Sequence, residues 1–406
     1  MLKQEDNEAL TRVGMGTLAG ELLRRYWHPV AVAAELSEEK PTRAVTLLGE
    51  KLVLFRMPVG SGESTLQYGL MAEQCPHRLA SLAYGRVDAE GIRCPYHGWK
   101  FNVQGQCIEQ PAEPPESTYK NEIQQPAYPV QKLAGLLFAD LGPLPAPLLP
   151  RWDVLVREDG RRWVQVQGVI NCNWLQPAEN SVDPSHVYWL HGFNNPLSRP
   201  RGEYEEQHEF IRFKYGIMKR RLTAGKTPND PPAVEEHPLI FPGNLRNLRY
   251  NNSDIDGRGV LKPGLIERHY IEFRVPIDDT HTQVYHVNFT PSAAESSPVE
   301  RDPPVEYLPI RNTDGNYALQ RVWVQDVMVW EAQGEVNDRS REHLGATDRG
   351  VVLFRKLLRE QIEIVRNGGE PIGVIRDAQE NASLDLGLIN ERYGLFRKNA
   401  LAGGPS

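Results

Sequence analysis

The stretch CPHRLASLAYGRVDAEGIRCPYH, residues 75–97, holds Cys75 and Cys94, two of the chain's four cysteines, and follows each closely with a histidine, His77 and His97. Written as spacing it is C-x-H, sixteen residues, C-x-x-H. Pro76 and Pro95 stand directly after the cysteines; each fixes φ and lacks an amide proton, so both pairs read as stiff, tight loops. The text around them is short and strand-like: RAVTLLGEKLVLFRM (43–57), STLQYGLMAEQ (64–74), GIRCPYHGWKFNVQGQCIEQ (91–110) and AGLLFADLG (134–142). Alternating apolar residues bounded by Gly, Pro and Asn describe antiparallel sheet with the two pairs near strand ends. Residues 26–146 are therefore expected to form an all-β module, preceded by a helical arm over 1–25. PLPAPLLPRW (143–152), with four prolines, reads as the linker that leaves it.

Two thiols and two imidazoles suit either zinc or a pair of irons. Zinc fingers usually pair Cys with Cys and His with His, whereas here each loop donates one of each. That layout suits a 2Fe-2S cluster of the Rieske type, with Cys75 and Cys94 on one iron and His77 and His97 on the other. Neutral imidazoles in place of two thiolates raise the reduction potential to about −150 to +300 mV, against about −400 mV for plant-type clusters, so a ferredoxin can reduce it. Gly98 and Trp99 are expected to cover the cluster from water.

A cluster alone needs about a hundred residues, and 147–406 calls for a second task. NCNWLQPAENSVDPSHVYWLHG (171–192) places Asp183, His186 and His191 within nine residues, with Glu179 and Asn180 just before. At about 100° per residue Asp183 and His186 share a helix face, while His191 lies about 140° from His186. Both rings reach one ion only if the helix ends or distorts near His191, and Gly192 reads as the stop. Two histidines and one carboxylate form the facial triad of non-haem Fe(II) oxygenases, with positions open for O2. The carboxylate is Glu179 or Asp183 locally, or Asp326 from afar. In LQRVWVQDVMVWEAQG, Asp326 has Val322, Val329 and Trp330 at i−4, i+3 and i+4, an apolar stripe where a carboxylate is costly unless paired or metal-bound, while Glu331 reads as solvated.

The rest of the chain supports an enzyme more than a binder of polyanions. A net charge of −7 gives no electrostatic reason to expect nucleic acid or a membrane surface as partner. No apolar run approaches the roughly 20 residues of a membrane span, and MLKQEDNEALTR has no export pattern, so a cytoplasmic location is expected. GMGTLAG (14–20) nearly mimics a dinucleotide fingerprint, but its third glycine is one residue late and no strand precedes it. Cys107 and Cys172 read as buried structural cysteines, and the seven remaining histidines are scattered. Strands at RRWVQVQGVIN, RHYIEFRVPI and TQVYHVNFTP, with helical text from about 317 to 366, predict an α+β fold overall: an all-β cluster domain followed by an antiparallel sheet packed by helices. PSAAESSPVERDPP (291–304) reads as an exposed loop.

These motifs together resemble the oxygenase (α) subunit of Rieske non-haem iron aromatic oxygenases, nearly end to end. LTRVGMGTLAGELLRRYWHPVA, LLGEKLVLFR, QDVMVWEAQGEVNDRSREHLGATDRGV and LREQIEIV are similar to the phthalate dioxygenase-like branch. AENSVDPSHVYWLHG, FKYGIMKRRL and HPLIFPGNLRN resemble dehydrodivanillate O-demethylase oxygenases and their relatives. The resemblance implies a helix-grip catalytic domain, Asp326 as the carboxylate beside His186 and His191 on the mononuclear Fe(II), and Asp183 as the bridge that passes electrons between subunits of a homotrimer, or of a hexamer made of two trimers. It implies O2 as co-substrate, NAD(P)H used indirectly through a flavin reductase or ferredoxin, and oxidative O-demethylation of a methoxylated aromatic acid. Ring hydroxylation and N-dealkylation share the same ligands, and a bare electron carrier would need the cluster alone. Glu179-Asn180 departs from the Glu-Gly common in that branch. Arg199, Arg201, Lys219, Arg220 and Arg221 are candidates to hold a carboxylate, none of them singled out.

Overall fold

The computed structural model describes residues 2–58, 66–192, 206–223, 233–250 and 266–386. The first part is built from β1 (His28–Val32), β2 (Thr42–Leu47), β3 (Glu50–Pro58), β4 (Leu66–Ala72), β5 (Arg86–Asp88), β6 (Gly91–Arg93), β7 (Lys100–Phe101), β8 (Cys107–Glu109), β9 (Ala127–Tyr128), β10 (Val130–Leu133) and β11 (Leu136–Ala139). They form three small antiparallel sheets, ordered β1-β11-β10, β2-β3-β4-β9 and β5-β6-β7-β8. The apolar run in β3 shows why these sheets stack. Leu52 and Leu54 enter the main core, while Val53 and Phe55 enter a second core that also holds Cys75, Cys94 and Trp99. A strand buried on both faces reads as a continuous hydrophobic run, and each such side chain contributes about 1.5–3 kcal/mol by leaving water.

The second part is one sheet of β12 (Gly160–Gln167), β13 (Glu206–Phe213), β14 (Gly216–Thr223), β15 (Ala233–Ile240), β16 (Asn244–Tyr250), β17 (Ile266–Pro276), β18 (Thr282–Pro291) and β19 (Val305–Leu308). Its order is β13-β14-β15-β16-β17-β18-β12-β19, antiparallel except for the β12/β19 pair. Alternation sorts its faces. Tyr285, Val287 and Phe289 of β18 join the main core, and Phe273 of β17 meets Phe138 of β11 edge to face at 5.4 Å, so the cluster-bearing part packs on this side. On the other side, by register, lie Asn288, Tyr270, Asn247 and, two strands on, the His237/Lys219 pair. Helix 349–366 crosses that side at the far end, where Arg212 of β13 pairs with Glu360 at 2.6 Å and Gly350 admits the Phe210 ring. This is the α+β architecture expected from the sequence: an all-β domain, then an antiparallel sheet gripped by helices.

Three readings gain detail from the fold. The N-terminal arm is helical, over 4–11 and 18–23, and docked: Leu10, Leu22 and Leu23 are buried in the main core, and Asn7 Nδ2 donates to Asn337 O at 2.9 Å. Residues 143–152 are docked as well. Leu149 and Trp152 are buried, Trp27 Nε1 donates to Pro147 O at 3.0 Å, and Leu148 N donates to Ile375 O at 2.9 Å, so the prolines stiffen a packed strap. The C-terminal helical text splits into helices 322–332 and 349–366, interrupted after Gly334 at φ +93.

Candidate functional site

Cys75 and Cys94 open two loops with one hydrogen-bond plan. Cys75 N donates to Ala80 O at 2.9 Å and Leu79 N to Cys75 O at 2.9 Å; Cys94 N donates to Trp99 O at 2.8 Å and Gly98 N to Cys94 O at 3.1 Å. The fifth residue of each loop is left-handed, Leu79 at φ +59 and Gly98 at φ +77, which turns the chain back onto its strand. Both sulfurs sit inside the second core, and the rings of His77 and His97 meet with centroids 4.4 Å apart. Trp99 is buried and stacks on His77 at 4.5 Å and 9°. Burial pushes the Cys75 thiol up to about 12, with the Cys94 thiol beside it adding to the effect. A bound cation is what makes thiolates stable in such a place, so the donor set fits the cluster.

The second group forms where helix 175–180 gives way to a turn and then to a π-helical segment, Val187–His191. A π turn carries five residues where an α turn carries four, and so returns His191 to the side of His186. Gly192 is not the stop: its φ of −67 and ψ of −35 are right-handed helical, and the distortion before it does the aligning. The ring centroids are 5.3 Å apart, with Nε2 of His186 and of His191 at 3.6 and 3.3 Å from Asp326 Oδ1. One donor atom from each of the three lies within 4.8 Å of the others, a set fit for one divalent ion with positions left open. Burial opposes a protonated His191, but Asp326 and Gln325 outweigh it and raise its pKa. Asn180 Nδ2 donates to the same Asp326 oxygen at 3.3 Å. Asp183 stands on the outer side, with Oδ2 3.6 Å from His186 Nδ1. Burial would raise its pKa, yet the pull of His186, the Ser185 amide and Lys219 lowers it.

Other candidates go elsewhere. Glu179 is buried between Arg339 (2.8 Å) and Arg355 (2.6 Å), a structural ion-pair network that ties the helix to the C-terminal one, not a metal ligand. Glu331 is not solvated: its side chain is 8% exposed and accepts from Asn171, Arg311 and Tyr317. Asp326 lies at the edge of its apolar stripe, since Val322 is exposed and the buried face is Val324, Val327 and Trp330. Cys107 and Cys172 are buried free thiols, as expected. His28 packs against Leu23 O, His269 against Arg246 and His286 against Gln167, and among the described residues no second cluster of metal-ligating groups forms around them. Lys219 is buried on β14, Arg220 pairs with Glu236, and Arg199 and Arg201 lie outside the described residues. Gln325 and Tyr270 escaped the sequence reading. Gln325 is a polar residue beside Asp326 in otherwise apolar VWVQDVMVW, a faint signal, and Tyr270, close enough for Asp326 to act on its titration, gave none.

Comparison with known proteins gives the family. Residues 26–129 match the Rieske [2Fe-2S] domain, and residues 260–386 match a LigXa C-terminal domain. The chain is 37% identical over its whole length to the 5,5'-dehydrodivanillate O-demethylase oxygenase subunit of Sphingobium sp., covering 91% of that protein. It is 42% identical over 88% of its length to the tert-butanol monooxygenase / tert-amyl alcohol desaturase oxygenase subunit of Aquincola tertiaricarbonis, covering 76% of it. In fold it is similar to the NdmA protein of Pseudomonas putida, with a TM-score of 0.62 at 21% identity over 86% of this chain and 93% of that one. The chain belongs to the Rieske non-haem iron oxygenases, as the terminal oxygenase subunit of a multicomponent system that carries a 2Fe-2S Rieske cluster and a mononuclear iron and acts with O2.

Proposed function

We propose that the chain catalyses oxidative O-demethylation of a methoxylated aromatic acid, in the cytoplasm, with electrons that reach it from NAD(P)H through a flavin reductase, a ferredoxin, or both. The observation that carries this reading is the likeness over the whole chain to a dehydrodivanillate O-demethylase subunit. Its polar sheet face is in keeping: Lys219 is buried opposite His237, His237 Nδ1 lies 2.5 Å from Asn247 Oδ1, and Asn247 Nδ2 donates to Tyr270 OH at 2.9 Å. A row of hydrogen-bonding groups with a cation at one end suits a ring that bears oxygens and a carboxylate.

In this reading Cys75, Cys94, His77 and His97 hold the cluster in a domain over 26–146, and His186, His191 and Asp326 hold the iron in one over 147–406. The cluster supplies single electrons, and the iron supplies O2 activation. The chain supplies placement: the two imidazoles and the carboxylate would hold the ion, and the polar row would orient the substrate with its methoxyl carbon toward that centre. Overall ArOCH3, O2, two electrons and two protons give ArOH, formaldehyde and water, the hydroxylated methyl collapsing through a hemiacetal. Asp183 serves as the bridge from the cluster of one subunit to the iron of the next in a homotrimer. Its side chain is 33% exposed although it leans on His186, and exposed Tyr96 and Leu79 by the cluster and Trp189 by Asp183 offer apolar surface for such a contact.

The test is O2 uptake by iron-loaded protein with a surrogate reductase, across methoxylated aromatic acids, their unmethoxylated counterparts and tertiary alcohols, with formaldehyde assayed alongside. Formaldehyde equal to O2 consumed, on a methoxylated acid, is the expected result. Oxygen uptake that yields an alcohol or ring hydroxyl without formaldehyde would replace this reading by hydroxylation. The similarity to the tert-butanol monooxygenase subunit makes that the second reading.

A further inference from the structure

We propose that Gln325 is a positioning residue of the iron centre: its side-chain carbonyl holds the Nδ1 proton of His191 and so fixes which nitrogen of that ring, and which rotation, is offered to the ion. The proposal rests on His186, His191 and Asp326 being the ligands. Gln325 is 3% exposed and directly precedes Asp326 on helix 322–332, so one turn of helix carries both a ligand and the support for another. Its Nε2 donates to Leu319 O at 2.8 Å. A backbone carbonyl only accepts, so the amide cannot be the other way round, and the end facing His191 is Oε1, at 3.0 Å from Nδ1. An acceptor there requires a proton on Nδ1, which leaves Nε2 of His191 with its lone pair free and aimed at the side of Asp326, 3.3 Å away. The two rings differ in this respect. Among the described residues His186 Nδ1 finds no hydrogen-bond partner, and the Asp183 oxygen lies 3.6 Å away. A neutral amide also adds no charge to the centre, whereas a carboxylate in its place would strengthen the ligand further.

Two substitutions separate the halves of the Gln325 contact. Gln325→Leu loses both the acceptor for His191 and the donor for Leu319 O; Gln325→Glu keeps the acceptor and loses only the donor. Protein with an intact cluster, judged by its absorbance and by its iron and sulfide content, is stripped of mononuclear iron and titrated anaerobically with Fe(II) against a competing chelator. The S = 3/2 electron paramagnetic resonance signal of the nitric oxide adduct is recorded in parallel. Gln325→Leu is expected to weaken Fe(II) binding by about 10- to 100-fold and to change the rhombicity of that signal, the usual size of effect for such supports. Gln325→Glu is expected to restore most of the affinity. A Glu variant as weak as the Leu variant would show that the Leu319 contact alone matters and would overturn the proposal. So would a Leu variant with the affinity and signal of the parent, an outcome that decides the matter even if the Glu variant does not fold. His191→Ala and Asp326→Ala in the same titration keep the two readings apart: if these retain Fe(II), the ligand assignment itself fails, whatever substrate is turned over.

Discussion

Asp140 follows β11 with Oδ1 accepting the Gly142 amide at 3.1 Å and Oδ2 enclosed, with no hydrogen-bond partner among the described residues. Burial pushes its carboxyl up to about 6 from the ordinary 3.8, against the opposing pull of Arg376 and Arg25. A carboxyl raised on folding favours the protonated native state. Its contribution to stability is therefore present below about pH 4 and is lost as pH rises through 6, on the order of 2–3 kcal/mol by linkage. Asp140→Asn keeps the acceptor for Gly142 and cannot ionise. Thermal melts of variant and parent should differ by several degrees in the variant's favour at pH 8, and the difference should shrink to nothing near pH 4. A difference independent of pH would mean that ionisation of Asp140 is not its source. Single residues of this kind were the least legible part of the sequence. Glu331 turns away from the apolar stripe by helix count and reads as solvated, yet its partners, Asn171 from one segment and Arg311 and Tyr317 from another, are far in sequence, which no periodicity records. The approach of Cys75 to Cys94 and of His77 to His97 was legible because their spacing is local.

At the level of elements, the two cluster loops repeat one backbone plan on different residues, and the left-handed position tells them apart. Gly98 at φ +77 has no side-chain penalty, while a Cβ there would meet Pro111 Cγ at 3.1 Å. Leu79 at φ +59 already bears the left-handed cost, about 1–2 kcal/mol, with its side chain exposed. Gly98→Ala should therefore lower cluster content, read as iron and acid-labile sulfide per chain, whereas Leu79→Gly should leave it unchanged. Equal loss in both would show that the left-handed conformation is not what limits either loop. The same arithmetic that places His191 about 140° from His186 made a distortion legible in advance. Its form was not legible, because a π turn and a helix end both satisfy the geometry, and the choice between them follows from packing against helix 322–332. The strand text, and the order of an all-β part before the part with the large sheet, were legible because short apolar runs such as β3 and β18 are bounded by turn residues. The strap over 143–152 was not, since proline content speaks to stiffness and not to what the segment packs against.

Across the whole molecule, electron flow requires the cluster and the iron to meet, and the bridging role proposed for Asp183 assigns that meeting to neighbouring subunits. In the proposed homotrimer, head-to-tail contacts in a closed ring would place the cluster of one chain against Asp183 of the next. Asp183 Oδ2 leans on His186 of its own chain, so the bridge belongs with the iron and not with the cluster. This asymmetry can be read by mixing chains. One variant, His97→Ala, lacks the cluster; another, Asp326→Ala, lacks the iron; each alone should be inactive. Co-expressed, they form rings in which the second chain's cluster faces the first chain's iron, and turnover should return. Adding Asp183→Asn to the cluster-deficient chain, which carries the working iron, should then cut turnover by about 10- to 100-fold, the usual cost of losing a supporting contact. Ser185 N still finds its acceptor at position 183, so the local turn is kept. The same substitution on the iron-deficient chain should change nothing. Mixed rings that stay inactive would return electron transfer to within one chain, and equal losses from both placements would deny Asp183 its side of the bridge.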